Sequence, residues 1–99
     1  METPLARNTR AVVTPEQLST KLGDEVVILG LRDCVYYGLT TVGARIWALL
    51  QTPHTVGEIV DVLVSEYDVT PEEAEADLVA LLADLDARGL IAVTPAELR

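Results

Sequence analysis

Three short apolar stretches in the first forty residues have the pattern of β-strands. "RAVV" (residues 10–13) is rich in β-branched residues, and Pro15, which cannot donate to a sheet, follows it. "EVVILGLRD" (residues 25–33) is too short for a helix and is interrupted by a glycine, and "VYYGL" (residues 35–39) follows it after a turn. Together these segments predict a meander of three antiparallel strands.

The loop between residues 25–33 and 35–39 determines which side chains we expect in the core. A three-residue loop pairs Leu29 with Tyr37 and gathers six large apolar side chains on one face. Those six are Val27, Leu29, Leu31, Val35, Tyr37 and Leu39. The other face would hold Val26, Ile28, Gly30, Tyr36 and Gly38. We therefore expect Tyr37 in the core and Tyr36 on the open face.

Three helices follow the strands in the predicted order. The first covers residues 41–51, with apolar positions at the spacing of one buried stripe. The second and third begin with capping boxes, in which a threonine and a glutamate three residues later satisfy free backbone N–H groups: Thr55 with Glu58, and Thr70 with Glu73. Strands followed by helices predict an α+β fold that is winged-helix-like, with an N-terminal three-stranded antiparallel sheet packed on a three-helix bundle.

The chain of 99 residues is long enough for one core and too short for two. We expect a flexible N-terminal arm in residues 1–9 and a single domain in residues 10–93, which ends in a short extended piece, "LIAV". Residues 94–99 are expected to form a C-terminal tail.

Charge is distributed unevenly along the chain, whose formal net charge is -9. Residues 1–45 are balanced, whereas residues 46–87 contain no Lys or Arg and many acids. Such a surface repels phosphate backbones, and the third helix lacks the basic residues that a major-groove reader needs. Nucleic acid is therefore not an expected partner. A solvated acidic face that aids solubility is the plainer interpretation, and attraction of a basic partner is the alternative.

No constellation of catalytic residues is visible in the sequence. The single histidine, His54, lies in a Pro-His-Thr segment and is expected to be a solvated loop residue, and the single cysteine, Cys34, is expected to be an inert thiol. Glycine-rich phosphate loops and metal-ligand spacings are missing. We expect no enzyme, no catalytic or metal-binding residue and no cofactor. The start of the chain lacks an apolar signal segment, so we expect a cytoplasmic protein without a membrane partner.

A binding module remains, and the last predicted strand suggests how it binds. Residues 35–39 contain no Lys, Pro or charged residue of the kind that discourages pairing at a free strand edge. An extended peptide could therefore add there as a further strand. Small and polar positions of the third helix would form the far wall of a groove: Ala76, Asp77, Ala80, Ala83 and Asp84. Alternatively, the tail or a second copy of the chain covers the edge.

Several segments between residues 26 and 91, taken together, resemble a known family. "YYGL", "IWALL", "HTVGEIVDVL" and "ADLVALLADLDARGLI" follow, in order and spacing, the PqqD-like family of RiPP recognition elements, which bind the leader part of ribosomally made precursor peptides. The resemblance implies no catalysis and a leader peptide added antiparallel to the third strand, beside the third helix. Carried onto this chain, the implied site is Val35, Tyr36, Tyr37, Gly38 and Leu39 on the strand, with Asp77, Ala80, Leu81 and Asp84 on the helix. Where the family often has glycine in the hairpin loop, this chain has Cys34.

The resemblance also implies a free-standing form that hands the precursor to separate enzymes. Lasso-peptide biosynthesis, with a leader protease and maturation enzymes as partners, is the favoured setting. A peptide chaperone for a radical SAM enzyme is the alternative within the family. Outside the family, the alternatives are a winged-helix transcription regulator and an adaptor that dimerises through the same strand edge.

Overall fold

A computed structural model describes residues 7–94, which form strands and helices around one hydrophobic core. The elements, in chain order, are β1 (Arg10–Val13), β2 (Gln17–Leu22), β3 (Glu25–Gly30), β4 (Tyr36–Thr40), α1 (Val42–Leu49), β5 (His54–Thr55), α2 (Val56–Glu66), α3 (Pro71–Ala87) and β6 (Ile91–Thr94). This architecture confirms the α+β class predicted from the sequence.

The strands form two antiparallel sheets, and one of them is the predicted meander with a different first strand. The meander has the order β2-β3-β4, and the second sheet has the order β5-β1-β6. Residues 10–13, predicted as the first strand of the meander, instead pair with β6 near the other end of the described chain, where Val13 lies opposite Ile91. The predicted extended piece "LIAV" thus provides β6, and it closes a second sheet that the sequence did not predict.

Strand β2 was missed because its sequence, QLSTKL, is mostly polar and contains only one β-branched residue. Its leucines point to the outer face of the meander, where Leu18 and Leu22 are 61% and 56% exposed. On the inner face, Ser19 accepts a hydrogen bond from the indole Nε1 of the buried Trp47, at 3.2 Å. The only two apolar residues of β2 thus lie on its exposed outer face, and the strand lacks the apolar side chains on its inner face that a half-buried strand usually has.

The predicted register of the β3–β4 hairpin is wrong by one residue. Ile28 lies opposite Tyr37, and the loop contains four residues, 31–34, rather than three. Because side chains alternate along a strand, this shift turns β3 over relative to β4. Val26 and Ile28 are buried, and Val27 and Leu29 lie on the outer face. Tyr37 still points inward and Tyr36 outward, as predicted.

The longer loop is stabilised by residues that the prediction did not weigh. Cys34 adopts a left-handed conformation with φ 58°, which glycine adopts at lower cost. The carboxylate of Asp33 accepts a hydrogen bond from the backbone N–H of Val35, at 3.1 Å, as aspartates in turns commonly do. The Gly30 N–H then donates to the Val35 carbonyl, at 2.9 Å, and closes the hairpin.

Helices α2 and α3 begin where their capping signals predicted. In α2 the Glu58 N–H donates to Thr55 Oγ1 at 3.1 Å, and the Thr55 N–H donates to Glu58 Oε1 at 2.9 Å. Thr70 and Glu73 form the same reciprocal pair at the start of α3. Buried side chains from α1, α2, α3 and the inner face of β3 make the core, among them Ile28, Ile46, Leu50, Ile59, Leu63, Leu78, Leu82 and Leu85.

The structure also describes part of the predicted N-terminal arm and the surroundings of His54. Residues 7 and 9 of the predicted arm contact α2, because the Gly57 N–H donates to the Arg7 carbonyl and the Val56 N–H donates to the carbonyl of the buried Thr9. The remainder of the predicted arm, and residues 95–99 of the predicted tail, lie outside the described residues. His54 is a half-buried member of β5 opposite Ala11 rather than a solvated loop residue.

Candidate functional site

Strand β4 forms one edge of the meander, and within residues 7–94 it pairs only with β3. Backbone groups of an antiparallel strand point alternately to either side. Since the Val35 carbonyl accepts from Gly30 of β3, Tyr37 and Leu39 also direct their backbone groups to β3. Tyr36, Gly38 and Thr40 therefore present their N–H and C=O groups to the free edge, as the sequence prediction of an open edge requires.

The side chains of this edge differ on the two faces of the sheet. On the outer face, Tyr36 is 69% exposed and a side chain at Gly38 would meet nothing within 4 Å. On the inner face, Tyr37 and Leu39 are half-buried and pack against the core. Val35, at the loop end of the strand, is 43% exposed.

The helix residues predicted for the site share one face of α3. Asp77, Ala80, Leu81 and Asp84 are spaced by three, one and three residues, and Arg88, just after the helix, continues this stripe by one turn. Leu81 is half-buried against the core, and the other members of the stripe are exposed. The α3 stripe, meaning Asp77, Ala80, Leu81, Asp84 and Arg88, thus has an apolar base flanked by charged residues.

The end of the α3 stripe reaches β4 through Arg88. Its guanidinium carbon lies 4.6 Å from the centroid of the Tyr37 ring, which is the geometry of a cation–π contact. Its Nε donates to Asp84 Oδ1 at 3.1 Å, and the Tyr37 hydroxyl donates to Asp33 Oδ2 at 2.7 Å. This chain of four side chains, the Asp33–Arg88 clasp, joins the hairpin loop to the end of α3.

Sequence reasoning missed two members of the clasp, Asp33 and Arg88. Arg88 could have been found because it is the first base after a long acidic segment and follows Asp84 by four residues. The hydrogen bond from Tyr37 is the main cause that lowers the pKa of the Asp33 carboxyl, with smaller contributions from the Val35 N–H and the Arg88 charge. Tyr37 and Asp84 raise the pKa of Arg88, because each interacts favourably with its charged guanidinium.

The meander has a second edge, formed by β2, which also pairs only with β3 within the described residues. The Leu31 N–H donates to the Glu16 carbonyl, so alternation leaves the backbone groups of Gln17, Ser19 and Lys21 at this edge. The Lys21 side chain lies beside it and borders a cavity of about 390 Å³ between the β2–β3 turn and α1. A charged lysine is a common device that discourages strand addition.

Within residues 7–94, His, Cys, Asp and Glu side chains form no group of three that could hold a metal ion. None of the helices in the same range combines the length and apolar character needed to cross a bilayer.

Comparison with known proteins identifies the family. The family described as coenzyme PQQ synthesis protein D (PqqD) matches residues 25–91, which includes β3, β4 and all three helices. The chain belongs to the PqqD family. This confirms the family predicted from the sequence, and no curated protein sequence matches this PqqD-family chain significantly.

Two solved structures resemble the fold closely. One, TbiB1 in complex with the TbiA(beta) leader peptide, is 36% identical with a TM-score of 0.78, over 87% of this chain and 99% of that chain. The other, lasso peptide synthetase B1 complexed with the leader peptide, is 28% identical with a TM-score of 0.74, over 83% of this chain and 96% of that chain. Both are matched over nearly their whole length.

The predicted site residues fall into two accessible groups. Val35, Tyr36, Tyr37, Gly38 and Leu39 form or adjoin the edge strand, and Asp77, Ala80, Leu81 and Asp84 share the α3 stripe. Each is at least partly exposed. Their contact with a ligand stays a prediction.

Proposed function

We propose that this PqqD-family chain binds the leader region of a ribosomally made precursor peptide without catalysing a reaction. The leader adds as a strand to the free edge of β4, beside the α3 stripe. The chain then delivers the precursor to a separate leader protease and to the maturation enzymes of lasso-peptide biosynthesis.

One observation carries this proposal. The backbone groups of Tyr36, Gly38 and Thr40 face outward at the free edge of β4, and the exposed α3 stripe reaches the same strand through Arg88. An added strand satisfies these groups, and each net hydrogen bond stabilises a complex by roughly 0.5–1.5 kcal/mol. The two similar solved structures hold leader peptides, which supports a peptide of the same kind here.

The Asp33–Arg88 clasp supports the proposal because it lowers the entropic cost of binding a peptide. It connects the loop that precedes β4 to the end of α3 before any ligand arrives. A groove whose two walls are already connected loses less conformational entropy on binding than one that must assemble around the peptide. The clasp therefore acts as a positioning element for the groove.

The genes next to the gene for this chain identify the precursor peptide to use in binding experiments. They also test whether the chain serves lasso-peptide biosynthesis. We expect a short precursor gene beside genes for a protease and an asparagine-synthetase-like cyclase. Neighbours that make a different class of product would contradict that part of the proposal. The synthetic leader of the neighbouring precursor, called the leader peptide below, is then titrated into the purified chain by calorimetry.

Two substitutions locate the leader peptide on the chain. Tyr36→Ala on β4 and Asp77→Ala on α3 each remove an exposed side chain, so the thermal unfolding curve should not move. Each is expected to weaken leader binding by about 1–3 kcal/mol. Unchanged affinity in both variants would show that the leader peptide binds at another place on the chain.

The family description favours a second candidate, a peptide chaperone for a radical SAM enzyme of cofactor biosynthesis. Both candidates use the same edge of β4, so the neighbouring genes discriminate between them. A winged-helix regulator is disfavoured because α3, the helix that would enter the major groove, has exposed acids along its length.

A further inference from the structure

The large apolar side chains that stay exposed in this fold are concentrated in one part of the molecule. Within residues 7–94, every such side chain belongs to the meander or to the hairpin between β3 and β4: Leu18, Leu22, Leu31, Val35 and Tyr36. Single exposed apolar residues are ordinary on protein surfaces, whereas a contiguous apolar patch commonly marks a place where another molecule binds.

The outer face of the meander contains most of this patch, because α1 packs against the inner face. Three rows of side chains cross the outer face: Leu18, Leu29 and Tyr36; Thr20, Val27 and Gly38; and Leu22, Glu25 and Thr40. Glu25 is the only charged residue in these rows, although the chain has a net charge of -9. Over β2 and β3 the face contains a hollow of about 330 Å³, lined mainly by apolar side chains that include Leu18, Leu22 and Val27.

We propose that the outer face of the meander is the surface on which the leader protease docks. This inference rests on the proposed function, in which the chain delivers a bound precursor to that enzyme. The protease contributes an apolar contact surface, and one of its apolar side chains enters the hollow over β2 and β3.

The chemistry of the outer face favours a protein with an apolar contact surface over other classes of partner. The three rows contain no Lys or Arg, so neither a nucleic-acid backbone nor the head groups of an anionic membrane would find a cation there. A charged group placed over the hollow would lose its hydration without gaining a partner. Apolar side chains of another protein gain most from this surface, since both surfaces leave water together.

A second copy of the chain is a poorer occupant because the face is small. Strands about 4.8 Å apart and rows about 7 Å apart give it a flat area of about 300 Å². A stable dimer commonly buries about 800 Å² per partner, which two such faces do not provide. Transient contacts lie at the low end of interface size, as expected for an enzyme that receives a peptide and then releases the chain.

The outer face is continuous with the edge at which the leader is proposed to add. Tyr36 belongs to both, since its side chain lies on the outer face and its backbone groups face the free edge of β4. An added strand extends the sheet, and alternate side chains of that strand point to the outer face. A protease docked there therefore contacts the leader as well as the chain, and each ligand strengthens the binding of the other by the same factor.

The test uses Leu18→Ser, with Lys21→Ser as the matched control. Each replaces one long, exposed side chain of β2 by serine, but Leu18 lies on the outer face and Lys21 on the inner face. Because both side chains are exposed, the thermal unfolding curve should stay the same, and Leu22→Ser provides a second outer-face variant. The probe is the purified leader protease encoded beside the gene for this chain, titrated with and without the leader peptide.

We expect the unchanged chain and Lys21→Ser to bind the protease equally, and about fivefold or more tightly when the leader peptide is present. Leu18→Ser and Leu22→Ser should each weaken protease binding by about tenfold or more. Protease binding that survives both outer-face substitutions, or no binding to the unchanged chain, would overturn the proposal. A dimer of the unchanged chain in sedimentation velocity that Leu18→Ser disperses would also overturn it, because a second copy would then cover the face.

Leader affinity, measured on the same variants by calorimetry, separates this inference from the proposed function. Leu18→Ser leaves the backbone groups of β4 in place, so it should bind the leader peptide as tightly as the unchanged chain does. A large loss of leader affinity in Leu18→Ser would assign the outer face to the leader and overturn the docking proposal alone. If the unchanged chain does not bind the leader peptide but binds the protease through Leu18, the proposed function fails and the docking surface stands.

Discussion

The two edges of the meander, β2 and β4, both present backbone groups that are unpaired within residues 7–94, yet the side chains around those groups differ. The charged side chain of Lys21 lies beside the edge of β2, and the Ser19 hydroxyl accepts a hydrogen bond from Trp47. Beside β4 lie a glycine with open space, an exposed tyrosine, and a helix stripe held to the strand by a clasp. On the proposed function, the surroundings of a free edge, and not the edge alone, determine where a peptide adds as a strand.

The largest expected effect comes from placing proline at equivalent positions of the two edges. Gly38→Pro removes an outward N–H and puts a ring in the path of the peptide, without breaking the ladder to β3. We expect the affinity for the leader peptide to fall by about 2 kcal/mol or more, roughly thirtyfold. Lys21→Pro removes the corresponding N–H of β2 and should leave leader affinity unchanged. Equal losses in the two variants would remove the distinction between the edges.

A smaller effect is expected from the clasp. Tyr37→Phe keeps the ring beneath Arg88 but removes the hydrogen bond to Asp33. Leader affinity should fall by about 0.5–1.5 kcal/mol, because the hairpin is held less firmly against α3. Tyr67→Phe is the control, since Tyr67 borders the cavity beside β2. Titration calorimetry on both variants measures the difference, and a larger loss for Tyr67→Phe would argue that the β2 side matters.

The clasp also predicts a dependence of stability on pH. The folded state lowers the pKa of Asp33, so its ionised form stabilises the fold above the ordinary aspartate pKa of about 3.9. That contribution is lost as the pH falls through the lower pKa of the folded state. Urea unfolding of the unchanged chain and of Asp33→Asn should therefore differ at neutral pH and converge in acid. A difference that grows on acidification would contradict the hydrogen-bond assignment.

The smallest expected effect is electrostatic. Residues 46–87 contain acids and no Lys or Arg, so a leader with a basic residue near the α3 stripe should bind less tightly as salt rises. Between about 50 mM and about 500 mM NaCl we expect a loss of a few fold, because exposed charges are screened. An affinity that does not change with salt would count against a role for this acidic surface.

The sequence predicted well those features that depend on local signals. Capping threonines at 55 and 70 fixed the starts of two helices, and the spacing of Asp77 and Asp84 placed them on one face of α3. Such signals are contained within a few residues, so neighbours far along the chain do not alter them. The family resemblance added the identity of the candidate ligand, which no local pattern contains.

Features that depend on distant partners were predicted less well. Strand β2 places the exposed Ser19 on the inner face of the meander, where its hydroxyl accepts a hydrogen bond from Trp47, far along the chain. The register of β3 was ambiguous because both of its faces are apolar, with Val26 and Ile28 on one and Val27 and Leu29 on the other. The loop containing Asp33 and the left-handed Cys34 decided between them, and hydrophobicity alone could not.

Amide hydrogen exchange of the backbone on both edges tests the central claim most directly. On addition of the leader peptide, the N–H groups of Tyr36 and Gly38 should gain protection because they become donors in a new strand ladder. Those of Ser19 and Lys21 on β2 should exchange as before. Protection at Ser19 and Lys21 without protection at Tyr36 and Gly38 would contradict binding at β4.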